Sequence, residues 1–182
     1  QDPVDYFVLE ISTFQLEGIK TFRPNIAVIL NITPDHLDRH KTLEEYADLK
    51  GRVSAFQNDG DILVLNKDDE NVMKQGKRSK AKKVFFSLRG KVDDGAYLED
   101  GSMFTCSGGK EKHILSVDDL KTAMQFQAEN LLSSIAVATL VNAAKSDITS
   151  VAIKFEGLDH RVEWVRTVRG IDFVNDSKGT NV

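Results

Sequence analysis

The sequence contains a single cysteine, Cys106, so it cannot form an internal disulfide or a cluster of thiolate metal ligands. It has no apolar stretch long enough to span a bilayer, and its first residues do not form a signal peptide. It has no excess of basic residues, and the net charge of −4 does not favour binding to nucleic acid or to an anionic membrane. We therefore expect a cytoplasmic protein without nucleic-acid or membrane partners.

The length of 182 residues is sufficient for one domain with a sizeable core and hardly for two. Hydrophobic residues make up 41% of the chain and charged residues 29%, a balance typical of a folded globular protein. The chain begins at Gln1 without an initiator methionine and stops at Val182 directly after a dense polar motif. We expect a piece of a larger protein that acts as a monomer.

Short apolar runs of strand-favouring residues indicate a parallel sheet that is covered by helices on both faces. Three of these runs are Tyr6–Leu9, Ile26–Leu30 and Ile62–Leu65. The periodicity of residues 43–56 predicts an amphipathic helix, for which Thr42 is the expected N-cap. The sequence therefore predicts an α/β fold with a mostly parallel sheet flanked by helices.

The second half of the chain predicts further elements around this sheet. Glycine-broken pieces over residues 91–117 predict a small antiparallel β region. The apolar face of residues 122–145 predicts one long helix, and the alternation over residues 161–174 predicts a hairpin with one wet face. We place a domain boundary between residues 1–158, the main domain, and residues 159–182, the first hairpin of another domain.

Polar clusters follow the predicted strands, where a ligand site would form. Glu10 comes where the first apolar run ends, and residues 35–40 (DHLDRH) follow the second run. Ligands of open α/β sheets bind outside the carboxyl ends of the strands. Lys50, on the predicted helix, and residues 160–161 with 175–178 (HR and NDSK) add cations and carboxylates. Oxygen ligands for Mg²⁺ combined with cations are what phosphoryl transfer requires.

Each cluster also has a purely structural interpretation. Glu10 at a strand end can lie in ordinary solvent, and an aspartate of residues 35–40 can cap the following helix. Lys50 can be a surface lysine, and residues 175–177 have the composition of a turn. Two other functions stay open on these residues alone. One is a metal-dependent phosphohydrolase-like domain with Asp35, His36, Asp38 and His40 as ligands, and the other is a non-enzymatic α/β binding module.

Four motifs, taken together, resemble one family, the Mur ligases. They are VLEISTFQLE at residues 8–17, NITPDHLDRH at 31–40, GLDHRVE at 157–163 and FVNDSKGTN at 173–181. They occur in the family's order and with family-like spacing across the whole chain. A single match of this kind is weak, whereas four in register are specific. The resemblance implies the central ATP-binding domain of such a ligase.

The resemblance implies an ATP-dependent amide-bond ligase of peptidoglycan precursor synthesis. In this family ATP phosphorylates the terminal carboxylate of the acceptor, and the amine of an amino acid attacks the resulting acyl phosphate. The form of the first motif implies UDP-N-acetylmuramoyl-L-alanine as the acceptor and D-glutamate as the amino acid. Another Mur-type ligase, with a different acceptor or amino acid, is the nearest alternative.

The resemblance also assigns roles to individual residues. Glu10, His36 and Lys50 are implied as the catalytic and metal-binding residues, with two Mg²⁺ ions and with Lys50 carbamylated. The residues implied to bind ATP are Asn130, Ser133, Arg161, Asp176 and Lys178. Ser12 and Thr180 are implied to lie near the acceptor and D-glutamate, respectively.

The sequence departs from the family pattern in two places. On the adenine-side helix Asn130 is kept, but Glu129 stands where a histidine is usual and Ser133 where a second asparagine is usual. The glycine-rich loop that would cradle the phosphates is absent from these residues. We therefore expect this chain alone neither to bind ATP tightly nor to turn over.

Overall fold

The computed structural model describes residues 4–34, 42–125 and 127–179. His36, Thr180 and the other residues predicted for function at 35–40 lie outside this part of the chain.

The described residues form six α-helices, eight β-strands and two short 3₁₀-helices. The helices are α1 (Thr13–Glu17), α2 (Leu43–Gly51), α3 (Glu70–Gly76), α4 (Thr122–Gln125), α5 (Ala128–Leu140) and α6 (Lys145–Lys154). The strands are β1 (Ile26–Ile29), β2 (Ile62–Asn66), β3 (Lys82–Ser87), β4 (Gly95–Glu99), β5 (Ser102–Ser107), β6 (Lys110–Ser116), β7 (Glu163–Val168) and β8 (Ile171–Asn175). The 3₁₀-helices are Arg52–Ser54 and Val117–Asp119.

Six strands form one sheet, and their order in it follows the chain from β1 to β6. Strands β1 to β4 are parallel, and β5 and β6 are added antiparallel at the edge beyond β4. The predicted parallel sheet flanked by helices is confirmed. The antiparallel region predicted over residues 91–117 is also present, as an extension of the main sheet.

Helices cover both faces of the parallel strands, as their unbroken apolar composition requires. One face carries Val64, Val84 and Phe86, which are buried in a core that includes apolar residues of α5 and α6. The opposite face carries Leu63 and Leu65, which pack in a second core with residues of α2 and α3. Because side chains alternate between the faces of a strand, β2 contributes to both cores.

The strand predicted over residues 6–9 is wrong: this segment has no regular secondary structure. Its side chains are exposed, with Phe7 at 82% and Val8 at 95% of their full accessibility. A buried parallel strand needs a hydrogen-bonded partner and cover on both faces. Within the described chain β1 pairs only with β2, and the segment pairs with neither. Glu10 therefore lies in an irregular segment before α1 and does not follow a strand.

The helix predicted over residues 122–145 is divided into α4 and α5, and the chain after α5 turns before α6. Asn142 ends α5 in the left-handed conformation, with a φ of 60°. Its backbone N–H donates to the carbonyl of Thr139, and that of Ala143 donates to the carbonyl of Ala138. These two bonds form a Schellman motif, for which asparagine is the common substitute for glycine.

The hairpin predicted over residues 161–174 is confirmed as β7 and β8, which form a separate two-stranded sheet. Arg169 and Gly170 make its turn with positive φ angles, which match the twist of the two strands. The prediction that only one face of the hairpin is exposed to solvent is wrong. Phe173 and Val174 lie on opposite faces, and both are 47% exposed. The domain boundary near Leu158 stays a prediction. None of the helices described is long and apolar enough to cross a membrane.

Candidate functional site

The carboxyl ends of β1 and β2 are joined to the start of α5 by the side chain of Asn66. Its Nδ2 donates to the carbonyl of Leu30 at 3.0 Å and to Oε1 of Glu129 at 2.5 Å. Its Oδ1 accepts the backbone N–H of Asp68 at 2.9 Å. Asn66 is only 2% exposed, so these bonds are shielded from water. This edge of the sheet is where ligands bind in open α/β folds.

Lys50 reaches the same edge from the last turn of α2. The helix begins at Thr42, whose hydroxyl accepts the N–H of Glu45 at 3.2 Å, so the predicted N-cap is confirmed. The Nζ atom of Lys50 donates to the carbonyl of Asn31 at 2.8 Å and lies 5.0 Å from the centre of the Tyr46 ring. The lysine is half-buried and lies beside the start of the motif at residues 31–40.

A cleft of about 370 Å³ lies between the start of α5 and the loops on either side of the hairpin. Its volume falls within the range of about 300–1,000 Å³ that is usual for small-molecule sites. Four of the five residues predicted to bind ATP line it, namely Asn130, Arg161, Asp176 and Lys178. Residues from two of the four motifs and from the adenine-side helix therefore meet at one place. This convergence makes the cleft the candidate nucleotide site.

Backbone turns and hydrogen bonds bring together Arg161 and Lys178, the two cations of the cleft. His160 and Val162 have φ angles of 68° and 46°, so the chain bends sharply on both sides of Arg161. The N–H of Lys178 donates to the carbonyl of His160 at 3.0 Å. Oδ1 of Asp176 accepts the N–H of Val162 at 3.1 Å. These bonds join the segment before β7 to the segment after β8.

Side chains of these two segments also bond to each other and strengthen the connection between them. Oε2 of Glu163 accepts the N–H of His160 at 2.8 Å and Nδ2 of Asn175 at 3.1 Å. The amide of Asn175 also lies 2.8 Å from Nδ1 of His160, and its Oδ1 accepts the N–H of Ser177. The motif residues that do not line the cleft therefore position those that do.

The hairpin side of the cleft carries two cations and the carboxylate of Asp176, and the α5 side carries one carboxylate. Arg161 and Lys178 come from the hairpin side, and both are exposed. Within the described residues neither cation has a carboxylate partner within 4.0 Å. Glu129 and Asn130 come from α5 and supply hydrogen-bonding groups. The arrangement can hold the phosphates of a ligand at one side and its uncharged polar part at the other.

The remaining predicted residues lie elsewhere. Ser133 is 6% exposed and its Oγ donates to the carbonyl of Asn130 at 2.7 Å, so it points into the fold and does not line the cleft. Ser12 caps α1, where its Oγ accepts the N–H of Gln15. Glu10 is exposed and does not line the cleft either.

The sequence did not predict four other residues that line the cleft, which are Gln127, Glu129, Val162 and Gly179. Three of them adjoin predicted residues along the chain. Glu129 is the most informative, because it carries a charge and stands where the resemblance leads one to expect a histidine. That departure from the pattern is the signal that could have identified it.

A second cavity of about 470 Å³ lies in the antiparallel part of the sheet and contains none of the predicted residues. Beside it the buried hydroxyl of Tyr97 donates to Glu111 at 2.6 Å, and Nζ of Lys91 lies 3.0 Å from the same carboxylate. Burial and this bond raise the pKa of Tyr97 to about 12. The bonds from Tyr97 and Lys91 hold the pKa of Glu111 below its usual value. We interpret this group as a structural network.

The metal-site alternative depends on residues 35–40. Among them, no three His, Cys, Asp or Glu residues are grouped so as to hold a metal ion. The four ligands of the phosphohydrolase hypothesis, Asp35, His36, Asp38 and His40, lie outside the described residues. That hypothesis therefore stays a prediction.

The pattern of the Mur ligase middle domain matches residues 1–138, which is more than half of the chain. The chain belongs to the Mur ligase family. The resemblance inferred from the four motifs is confirmed. Since the match covers β1 to β6 and most of α5, the main sheet and the α5 side of the cleft belong to this domain of the Mur ligases.

Curated Mur ligases with high similarity carry one name, UDP-N-acetylmuramoylalanine–D-glutamate ligase. The protein of Thermoanaerobacter sp. (strain X514) is 41% identical over 177 residues, which are 97% of this chain and 39% of the relative. That of Alkaliphilus oremlandii is 43% identical over 180 residues, with the same two coverages. The chain thus spans about two-fifths of the length of these relatives.

Solved Mur ligase structures have the same fold at low sequence identity. MurF from Acinetobacter baumannii matches with a TM-score of 0.64 and 14% identity, over 85% of this chain and 34% of that protein. MurC from Thermotoga maritima matches with a TM-score of 0.60 and 20% identity, over 90% of this chain and 36% of that protein. At these identities the likeness supports the fold alone.

Proposed function

We propose that the full-length protein carrying this sequence is an ATP-dependent ligase that joins D-glutamate to UDP-N-acetylmuramoyl-L-alanine. The convergence of Asn130, Arg161, Asp176 and Lys178 at one cleft is the observation that carries the proposal. The common name of the curated relatives supports the two substrates. We also propose that the protein acts in the cytoplasm as a monomer.

Different residues of the cleft bind different parts of ATP. Arg161 and Lys178 hold the phosphates, because they are the cations of the cleft and have no carboxylate partners in the described chain. Asn130 contacts the base and Asp176 the ribose hydroxyls, to which a carboxylate oxygen can accept hydrogen bonds. Ser133 is buried and bonded to the helix backbone, so we give it no contact with ATP.

Glu10, His36 and Lys50 would hold the two Mg²⁺ ions. When bound, Mg²⁺ neutralises negative charge that develops on the transferred phosphoryl group. Lys50 fits this role as a carbamate, because its neutral amine would add carbon dioxide, release a proton and become an anionic oxygen ligand. Its amine is half-buried beside the carbonyl of Asn31, at the start of the motif at residues 31–40. Ser12 and Thr180 would lie near the acceptor and D-glutamate.

The direct test is an assay of the full-length protein with ATP, UDP-N-acetylmuramoyl-L-alanine and D-glutamate. The proposal predicts ADP and phosphate in equal amounts, and only when both other substrates are present. Release of phosphate without D-glutamate would overturn it in favour of a phosphohydrolase. Dependence on a different amino acid or acceptor would indicate another Mur-type ligase. The absence of any nucleotide binding would favour the non-enzymatic binding module.

A further inference from the structure

Glu129 has one carboxylate oxygen bound to the sheet and one available to a ligand. Oε1 accepts from Asn66, whereas Oε2 has no hydrogen-bond partner among the residues that the structure describes. The side chain is partly buried, and it lines the cleft next to Asn130. A fixed carboxylate with a vacant oxygen is a strong hydrogen-bond acceptor for a ligand N–H or O–H group.

The neighbours of Asn66 determine which of its atoms faces Glu129. The backbone N–H of Asp68 can only donate and the carbonyl of Leu30 can only accept, so Oδ1 and Nδ2 of Asn66 have unambiguous positions. The second proton of Nδ2 therefore points at Glu129, which must accept it. Whatever residue stands at position 129 is required to present an acceptor to Asn66.

The charges of the cleft orient a bound nucleotide. On the hairpin side the two cations Arg161 and Lys178 outnumber the one carboxylate, Asp176, so phosphates are attracted there, and they are repelled by the carboxylate of Glu129 on the α5 side. The uncharged end of the nucleotide, the base, therefore lies against α5. An asparagine amide pairs well with an adenine, and Asn130 is adjacent to Glu129.

We propose that Glu129 is a specificity-determining residue that accepts a hydrogen bond from the exocyclic amino group of adenine. This inference rests on the proposed binding of ATP in the cleft and adds the residue that reads the amino group. Asn66 is a positioning residue, because it acts on the base through Glu129.

The test compares ATP with purine riboside triphosphate, which differs only in lacking the amino group, by calorimetric titration of the full-length protein. The wild type should bind ATP about tenfold more tightly than the analogue, because one hydrogen bond to a charged acceptor is lost. In Glu129→Gln the amide oxygen must face Asn66, so the amide N–H₂ faces the ligand. This donor faces the amino group of adenine, which is also a donor. The variant should therefore bind ATP and the analogue with about equal affinity.

The controls separate the inference from the proposed function. Glu70→Gln removes a matched first-turn glutamate of α3 that does not line the cleft, and it should leave the preference unchanged. Asn66→Ser should reduce the preference for ATP over the analogue. The ratio of the affinities for ADP and AMP should stay constant, because Arg161 and Lys178 are unchanged. Equal binding of both nucleotides by the wild type, or an unchanged preference in Glu129→Gln, overturns the inference. Failure of the wild type to bind either nucleotide overturns the proposed function itself.

Discussion

The Nζ atom of Lys50 lies 2.8 Å from the carbonyl oxygen of Asn31 and joins the end of α2 to the segment that follows β1. This bond crosses from a helix on one face of the sheet to the edge at which open α/β sheets bind ligands. It places the amine where a carbamate would add an anionic oxygen next to the motif at residues 31–40.

Lys50→Ala should reduce the activity of the full-length protein by on the order of a hundredfold, because the proposed metal ligand is removed. Added acetate or formate should restore part of the activity, since a short carboxylate can replace the carbamate oxygen. Steady-state rates with and without these anions give the measurement. Lys74→Ala, in the last turn of α3, is the matched control and should behave like the wild type. Full activity of Lys50→Ala would contradict the assigned role.

Arg161→Ala and Lys178→Ala should each weaken ADP binding by about tenfold in the full-length protein, because each removes one of the proposed charge-assisted contacts to a phosphate. The weakening should be smaller at high salt, which screens exposed charges. Titration with ADP at two salt concentrations measures both effects. Lys154→Ala, at the end of α6 and outside the cleft, provides the control. Unchanged affinity in both cleft variants would argue against phosphate binding here.

Gly95→Ala should destabilise the chain by about 3 kcal/mol, through overpacking and an unfavourable backbone conformation. Gly95 has a φ of 134°, and a Cβ atom there would lie 1.8 Å from the carbonyl oxygen of Phe85. Denaturant unfolding monitored by circular dichroism measures the loss. Gly90→Ala is the control, because a Cβ atom at Gly90 meets nothing within 4 Å. Equal stability of the two variants would show that β3 and β4 separate easily.

The free energy of unfolding should fall between about pH 10 and pH 12 because of Tyr97. Its pKa is raised from 10.0 to about 12 in the folded chain, chiefly by burial. Between these values the unfolded chain loses the proton that the folded chain keeps, so rising pH favours unfolding. Tyr97→Phe should make the decline shallower in this window, although it lowers stability at neutral pH by removing the bond to Glu111. Denaturant unfolding at several pH values measures the slope.

Tyr6→Phe is the control for that experiment, because Tyr6 is 63% exposed. Its slope should equal that of the wild type. The same slope in Tyr97→Phe would mean that other groups cause the alkaline loss of stability.

Elements whose partners are close in the chain were predicted well. The hairpin of β7 and β8 has its turn between its own strands. The N-cap Thr42 is bonded to Glu45 only three residues away. In each case the residues that decide the structure are neighbours in the sequence, so their pattern is visible there.

The same reasoning failed where the outcome depends on distant partners. Residues 6–9 have the composition of a buried strand, yet they are exposed because no strand pairs with them in the described chain. Apolar composition shows that a segment is suited to burial, but burial itself requires a surface to cover it. Residues 122–145 were predicted as one helix because the local pattern did not show where α5 begins and ends.

The four motifs, and with them the Mur ligase family and the residue types available for chemistry, were determined by the sequence alone. Which of those residues meet was decided by the tertiary structure. Arg161, Asp176 and Lys178 meet Asn130 of α5 at one cleft only in the folded chain, and Ser133 turns inward. Glu129 is held by Asn66, 63 positions away, through a hydrogen bond that no local pattern contains. The physical reason is that a binding site depends on distances in space, and folding alone sets these for residues far apart in the chain.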